Sequence, residues 1–180
     1  MKKYLAYSLL VAVLFGNSGA GCGNKNEDDP QPTHMQTLIG RWEAIRANYE
    51  ITEHNGTVKN TGPELKSNGT IIIWEFFSDG RLKATGNTNP GRAMESREVR
   101  WELNVTRLDG KTIDMGTLKI IGDEERELAK ELGQTGDLTY NIEAGIPTGG
   151  SNLATMFLSV DVTKVGPYKK NILTYTYHKL

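Results

Sequence analysis

The chain has one cysteine among 180 residues, Cys22, so no internal disulfide can form. It has three histidines, His34, His54 and His178, and they share no spacing that would put two on one metal-binding face. Each reads as a solvated side chain, so no metal is expected. No polybasic run occurs, which argues against a nucleic-acid partner. There is no Gly-x-Ser-x-Gly elbow: Gly149-Gly150-Ser151-Asn152 lacks the second half and reads as a flexible loop. No Gly-Lys-Ser/Thr follows a strand to cradle a phosphate. Asp123-Glu124-Glu125 could hold a cation, but acids at a helix start need no metal to explain them. Glu75 and Glu102 are read as outward, solvated carboxylates rather than an acid–base pair. The expectation is therefore a protein that is not an enzyme and uses no cofactor.

Long apolar runs are also scarce. The longest, Leu5 to Phe15, is too short to span a bilayer. With Lys2 and Lys3 before it and the small residues Gly16 to Gly21 after it, it reads as a cleaved targeting segment over residues 1–21. Cys22 follows at once. Ala20-Gly21-Cys22 resembles the lipobox of bacterial lipoproteins, with Gly19 where that family usually has Leu. The resemblance implies lipidation of Cys22, a membrane anchor at the N-terminus and an outer-membrane, cell-envelope location. The alternative is an ordinary secretory signal cut after Ala20. Loss of Lys2 and Lys3 leaves 19 basic against 22 acidic side chains. Residues 22–37 read as a lipidated cysteine and flexible tether, with Glu27-Asp28-Asp29 and Pro30-Gln31-Pro32 and little to bury. Acids just after a lipidated cysteine are similar to the surface-export signal of Bacteroidetes lipoproteins; a plain solvated spacer explains them equally.

Residues 38–180 hold the domain. Glycine is abundant, at 20 residues, and clusters with Asn and Asp at turn positions, an all-β composition. Trp42 to Ile51 reads as a strand with Trp42, Ala44 and Ile45 inward, a phase shift that implies a bulge. Asn55-Gly56 is a turn, and Val58 to Asn68 a polar loop. Ile72, Trp74 and Phe76 share one face by period two, and Ser78-Asp79-Gly80 leads into Leu82 to Ala84. After a polar loop from Asn87 to Glu95, Val99, Trp101, Leu103 and Val105 alternate with polar residues. Asp109-Gly110 turns the chain into Ile113 to Ile120. Leu128 and Leu132 lie one helical turn apart, with acids before them and Gly133 after, which predicts a helix over Asp123 to Leu132. Strand spacing resumes at Leu138, Tyr140 and Ile142. A Gly-rich loop, Pro147 to Asn152, precedes Met156 to Val162, and Gly166-Pro167 precedes Leu173, Tyr175 and Tyr177.

Eight strands joined mostly by tight turns predict an all-β, up-and-down antiparallel β-barrel with one short helix, or alternatively a β-sandwich. Gly40-Arg41-Trp42, the Phe-x-x-Asp-Gly hairpin at Phe76 to Gly80 and the Tyr-rich last strand resemble the lipocalin-like domains of Bacteroidetes lipoproteins. That resemblance implies that Gly40 and Trp42 close one end of a barrel. In lipocalins the tryptophan often meets an Arg of the last strand; here that stretch offers Lys170, His178 and Lys179. It also implies a small hydrophobic or amphipathic ligand. Candidate ligand-binding residues are Trp74, Phe76, Trp101, Tyr140, Tyr175 and Tyr177, each of which could instead be core. The other functional expectation is a non-enzymatic interaction module, presenting loops to an envelope protein or a glycan.

Overall fold

The computed structural model describes residues 33–87, 93–109, 112–145 and 153–180. The targeting segment, Cys22, the tether to Pro32, Gly110 and the loop at residues 147–152 lie outside the described residues. The chain runs α1 (Thr33–Leu38), β1 (Gly40–Thr52), β2 (Val58–Thr61), β3 (Ile71–Phe76), β4 (Arg81–Asn87), β5 (Glu95–Asp109), β6 (Thr112–Ile121), α2 (Asp123–Glu131), β7 (Leu138–Gly145), β8 (Thr155–Asp161) and β9 (Lys170–Lys179). Single 3₁₀ turns sit at Lys66–Asn68 and Thr163–Val165.

Strands β3 to β9 pair antiparallel in sequence order, and β9 returns to pair with β1 from Trp42↔Lys179 to Thr52↔Lys170. That pairing closes an eight-stranded barrel and sets the sandwich aside. The ninth strand, β2, folds back on the last four residues of β1, outside the ring. The polar stretch from Val58 to Asn68 was expected as loop; its first residues form β2 because the Asn55-Gly56 turn returns the chain along a β1 edge that β3 leaves free. β3 covers only Gly40 to Glu43 of that edge. Between the two, Pro63 to Leu65 fills the gap: Ala47 N–H donates to Pro63 O at 3.2 Å and Leu65 N–H to Ile45 O at 3.0 Å.

The expected bulge lies between Ala44 and Arg46 in the β1–β9 register. It changes which residues face inward. Trp42, Ala44 and Ala47 are buried, and Ile45, expected inside, sits half-buried at the bulge. Elsewhere period two holds: Ile72, Trp74 and Phe76 on β3, Leu82 and Ala84 on β4, and Leu173, Tyr175 and Tyr177 on β9 are inward and buried. Glu75 is half-buried and Glu102 exposed, on the opposite phase from Trp74 and Trp101.

A second difference concerns Thr33–Leu38. The sequence assigns these residues to the tether and the start of the domain, whereas they form α1, which lies against β5, β6 and β7. Leu38 is fully buried, so this turn is held by packing. Helix α2 matches its predicted span and ends one residue earlier, at Glu131. The buried core of the described residues runs from Leu38 to Tyr177 as one cluster, which makes the barrel self-contained.

Candidate functional site

The two ends of the barrel are built differently. At the β1 start, Gly40 has φ +118°, a conformation that side chains rarely adopt, and a Cβ there would sit 3.1 Å from Lys179 Cε. Glycine thus lets β1 enter tightly under the last strand. Trp42 is fully buried, and its Nε1–H donates to Leu38 O at 2.8 Å, tying α1 to the ring. Lys179, near the end of β9, stands over the Trp42 ring. Its Nζ lies 5.3 Å from the Trp42 ring centroid and donates to Thr37 O at 3.1 Å. Partial burial pushes the Lys179 pKa down.

The opposite end is marked by α2. Gly145 pairs with Thr155, and Thr155 with His178, so that end of β7 is on the Trp42 side. Leu138 begins β7 at the far end, and α2 joins β6 to it there, resting on β6 and β7. Leu128 and Ala129 turn into the barrel as the helical spacing requires. Glu125, three residues before Leu128, turns in with them and is only 2% exposed. Arg97 meets it from β5, on the same inward phase as Val99 and Trp101. Arg97 Nη1 donates to Glu124 Oε2 at 2.6 Å, and Nη2 donates to Glu125 Oε1. Burial pushes the Glu125 pKa up, and the Arg97 charge opposes that only in part. Glu125 belongs to the acidic run noted in the sequence, but Arg97 and its pairing with Glu125 are not expected from it. Their signals were there: Arg97 extends the Val99–Trp101 alternation by one step, and Glu125 shares a helix face with Leu128. The three acids do stand in the first turn of α2, and Glu124 and Glu125 are in addition held by Arg97, while Asp123 pairs with Arg126.

Between the ends lie all six expected aromatic residues, each buried, in one continuous set of ring contacts. Trp101 meets Phe76 at 5.2 Å between centroids, and Phe76 meets Trp74 at 6.0 Å. Trp74 meets Tyr140 at 6.1 Å and Tyr177 at 5.4 Å, and Tyr177 meets Tyr175 at 6.2 Å. Most of these contacts are edge-on or tilted, the arrangement aromatic quadrupoles favour. The polar tips differ. Trp101 Nε1–H donates to Arg81 O at 3.0 Å, whereas Trp74 Nε1 is buried with no hydrogen-bond partner. Burial raises the pKa of Tyr140, Tyr175 and Tyr177 well above that of free tyrosine, so all three phenols stay protonated. Tyr140 also feels Glu125 and Arg97, and the other two feel Tyr140.

Of the histidines, His54 is exposed in the β1–β2 turn and His178 half-buried on β9; the His34 side chain lies outside the described residues. Among the described residues, no group of three or more His, Cys, Asp or Glu side chains is arranged to hold a metal ion, and no helix is long and apolar enough to cross a membrane.

The fold and interior define a closed eight-stranded antiparallel β-barrel, plugged at one end by a helix and a tryptophan. Its far end carries a helix latched by a buried ion pair. No protein-family model matches this chain, and no curated protein matches it.

Proposed function

We propose that this protein is a lipid-anchored envelope protein of lipocalin-like type, whose barrel binds a small apolar or amphipathic ligand and catalyses no reaction. The observation that carries the binding role is the Trp74 indole N–H, buried without a partner among aromatic walls. Such a group in a native protein calls for a missing occupant, and an apolar interior with a few convergent polar tips is the usual composition of a small-molecule site. The anchor and envelope location rest on the targeting segment and Cys22. Native mass spectrometry of the purified protein tests the binding role: a co-purified small molecule, released on unfolding, is expected. A protein that is empty as isolated and takes up no apolar compound would end it.

A second role, as an interaction module, is favoured by Leu108, Met115, Leu153 and Phe157. These apolar side chains are exposed on β5, on β6 and at or next to β8. Capture of an envelope protein that fails when Phe157 and Met115 are made polar would favour that role over ligand binding.

A further inference from the structure

Three tryptophans lie in this chain, and all three are buried. Two give their indole N–H to backbone carbonyls, Trp42 to Leu38 O and Trp101 to Arg81 O. Trp74 is the exception: it is 4% exposed, its Nε1 has no partner, and Tyr140 and Tyr177 stand beside it. An indole N–H donates and never accepts, so only an acceptor atom can satisfy it. Its register neighbours narrow the chemistry further. Ala84 lies opposite Trp74 on β4 and Trp42 opposite it on β1, so neither cross-strand partner brings an acceptor side chain.

The charge balance of the interior then limits what the acceptor can be. Arg97 is the cation at the α2 end of this interior: Glu124 and Glu125 take its two Nη atoms, and its buried Nε has no hydrogen-bond partner. Burial pushes the Glu125 pKa up even with Arg97 beside it, so this interior disfavours a negative charge. A ligand carboxylate brought into this poorly solvated space would pay the same desolvation cost.

We propose that Trp74 Nε1–H is the hydrogen-bonding point for the ligand, and that the ligand is a neutral, mainly apolar molecule carrying a carbonyl-type acceptor oxygen rather than a carboxylate. The inference rests on the binding role proposed above and specifies its chemistry. The apolar body lies among the rings of Trp74, Phe76 and Tyr177. The acceptor oxygen lies on the Trp74 indole edge, which the Tyr140 ring packs beside.

The test uses soluble protein spanning residues 23–180, which keeps the whole barrel and both helices. Decan-2-one, decane and decanoate are titrated at neutral pH, followed by the indole N–H signals in a heteronuclear NMR spectrum. Decan-2-one is expected to bind at least about tenfold more tightly than decane or decanoate, the scale of one satisfied buried donor. It should move the Trp74 signal and leave those of Trp42 and Trp101 in place. Trp74→Phe should bring the affinities for decan-2-one and decane together, removing the ketone's advantage whatever the change in apolar contact. Should that variant fail to fold, assignment of the three indole signals in the parent protein still decides. Equal binding of ketone and alkane with an unmoved Trp74 signal would overturn this inference and leave apolar binding standing. Preference for decanoate would overturn the neutral class. If none of the three binds, this inference and the binding role fall together.

Discussion

Trp42 and Trp74 face each other across the β1–β3 pairing, and both point inward, yet they are anchored differently. Trp42 has its indole N–H on Leu38 O and Lys179 above its ring. Truncation to alanine removes a fully buried ring and the partner of that carbonyl, so Trp42→Ala is expected to cost about 3–5 kcal/mol. A denaturant melt close to that of the parent protein would show that Trp42 does not plug the barrel. Arg97 and Glu125 are not symmetric in their effects. Glu125 has a raised pKa in the folded protein, so between its unfolded and folded values the folded state binds the extra proton. Its contribution to stability therefore falls as pH rises through that window. Glu125→Gln should remove this pH dependence at small cost, because Glu124 still holds Arg97. Arg97→Leu leaves Glu125 buried without a counter-charge and should cost about 3–5 kcal/mol near neutral pH. That deficit should shrink on acidification, as Glu125 takes up its proton. Unfolding free energies at two pH values check both variants, and an Arg97→Leu deficit independent of pH would contradict the pairing.

At the scale of elements, the short pieces outside the ring do the positioning. Helix α1 has six residues, too few to persist alone in water, and stays because Leu38 is buried and its carbonyl receives the Trp42 indole. Leu38→Ala should cost about 2–5 kcal/mol and loosen the closed end specifically. Hydrogen exchange at the Trp42 indole should speed up while that at Trp101 stays slow; equal change at both would mean a global effect. The bulge at Ala44–Arg46 has the opposite role, re-phasing β1 so that Ala47 rather than Ile45 faces the interior. Small inward residues on β1 keep that wall low beside the Trp74 ring. Helix α2 carries Leu128, Ala129 and Glu125 on one face, so a single element both covers the far end and supplies the charge that fixes Arg97.

At the scale of the whole molecule, closure joins the two ends of the described chain. β1 and β9 form the longest of the described pairings, and neither has its full set of partners until the last strand arrives. Folding dominated by such distant contacts is slow, on the order of milliseconds to seconds. A chain ending at Gly166 lacks β9 and leaves β1 and β8 as open edges. It is expected to aggregate and to show no cooperative unfolding by size-exclusion chromatography and denaturant titration; a soluble, cooperative monomer would show that the barrel does not depend on closure. On the anchor, Cys22→Ser is expected to move the protein from the membrane to the soluble envelope fraction, and unchanged partitioning would end the lipid-anchor proposal.

Local patterns in the sequence already determined most strands, the turns at Asn55-Gly56 and Ser78-Asp79-Gly80, the α2 span and the burial of all six candidate aromatics. Those features depend on alternation, on glycine conformation and on helix spacing, which are properties of neighbours in the chain. What only the tertiary structure decided depends on residues far apart. β2 formed because β3 left an edge of β1 unpaired, and α1 formed because the barrel end offered Leu38 a place to be buried. Arg97 and Glu125 are 28 positions apart and became a pair only when α2 settled over the far end. The same distance argument separates the three tryptophans. Trp101 finds its acceptor, Arg81 O, 20 positions away, and Trp42 finds Leu38 O four residues back only because α1 is packed there, so the local sequence does not set them apart from Trp74.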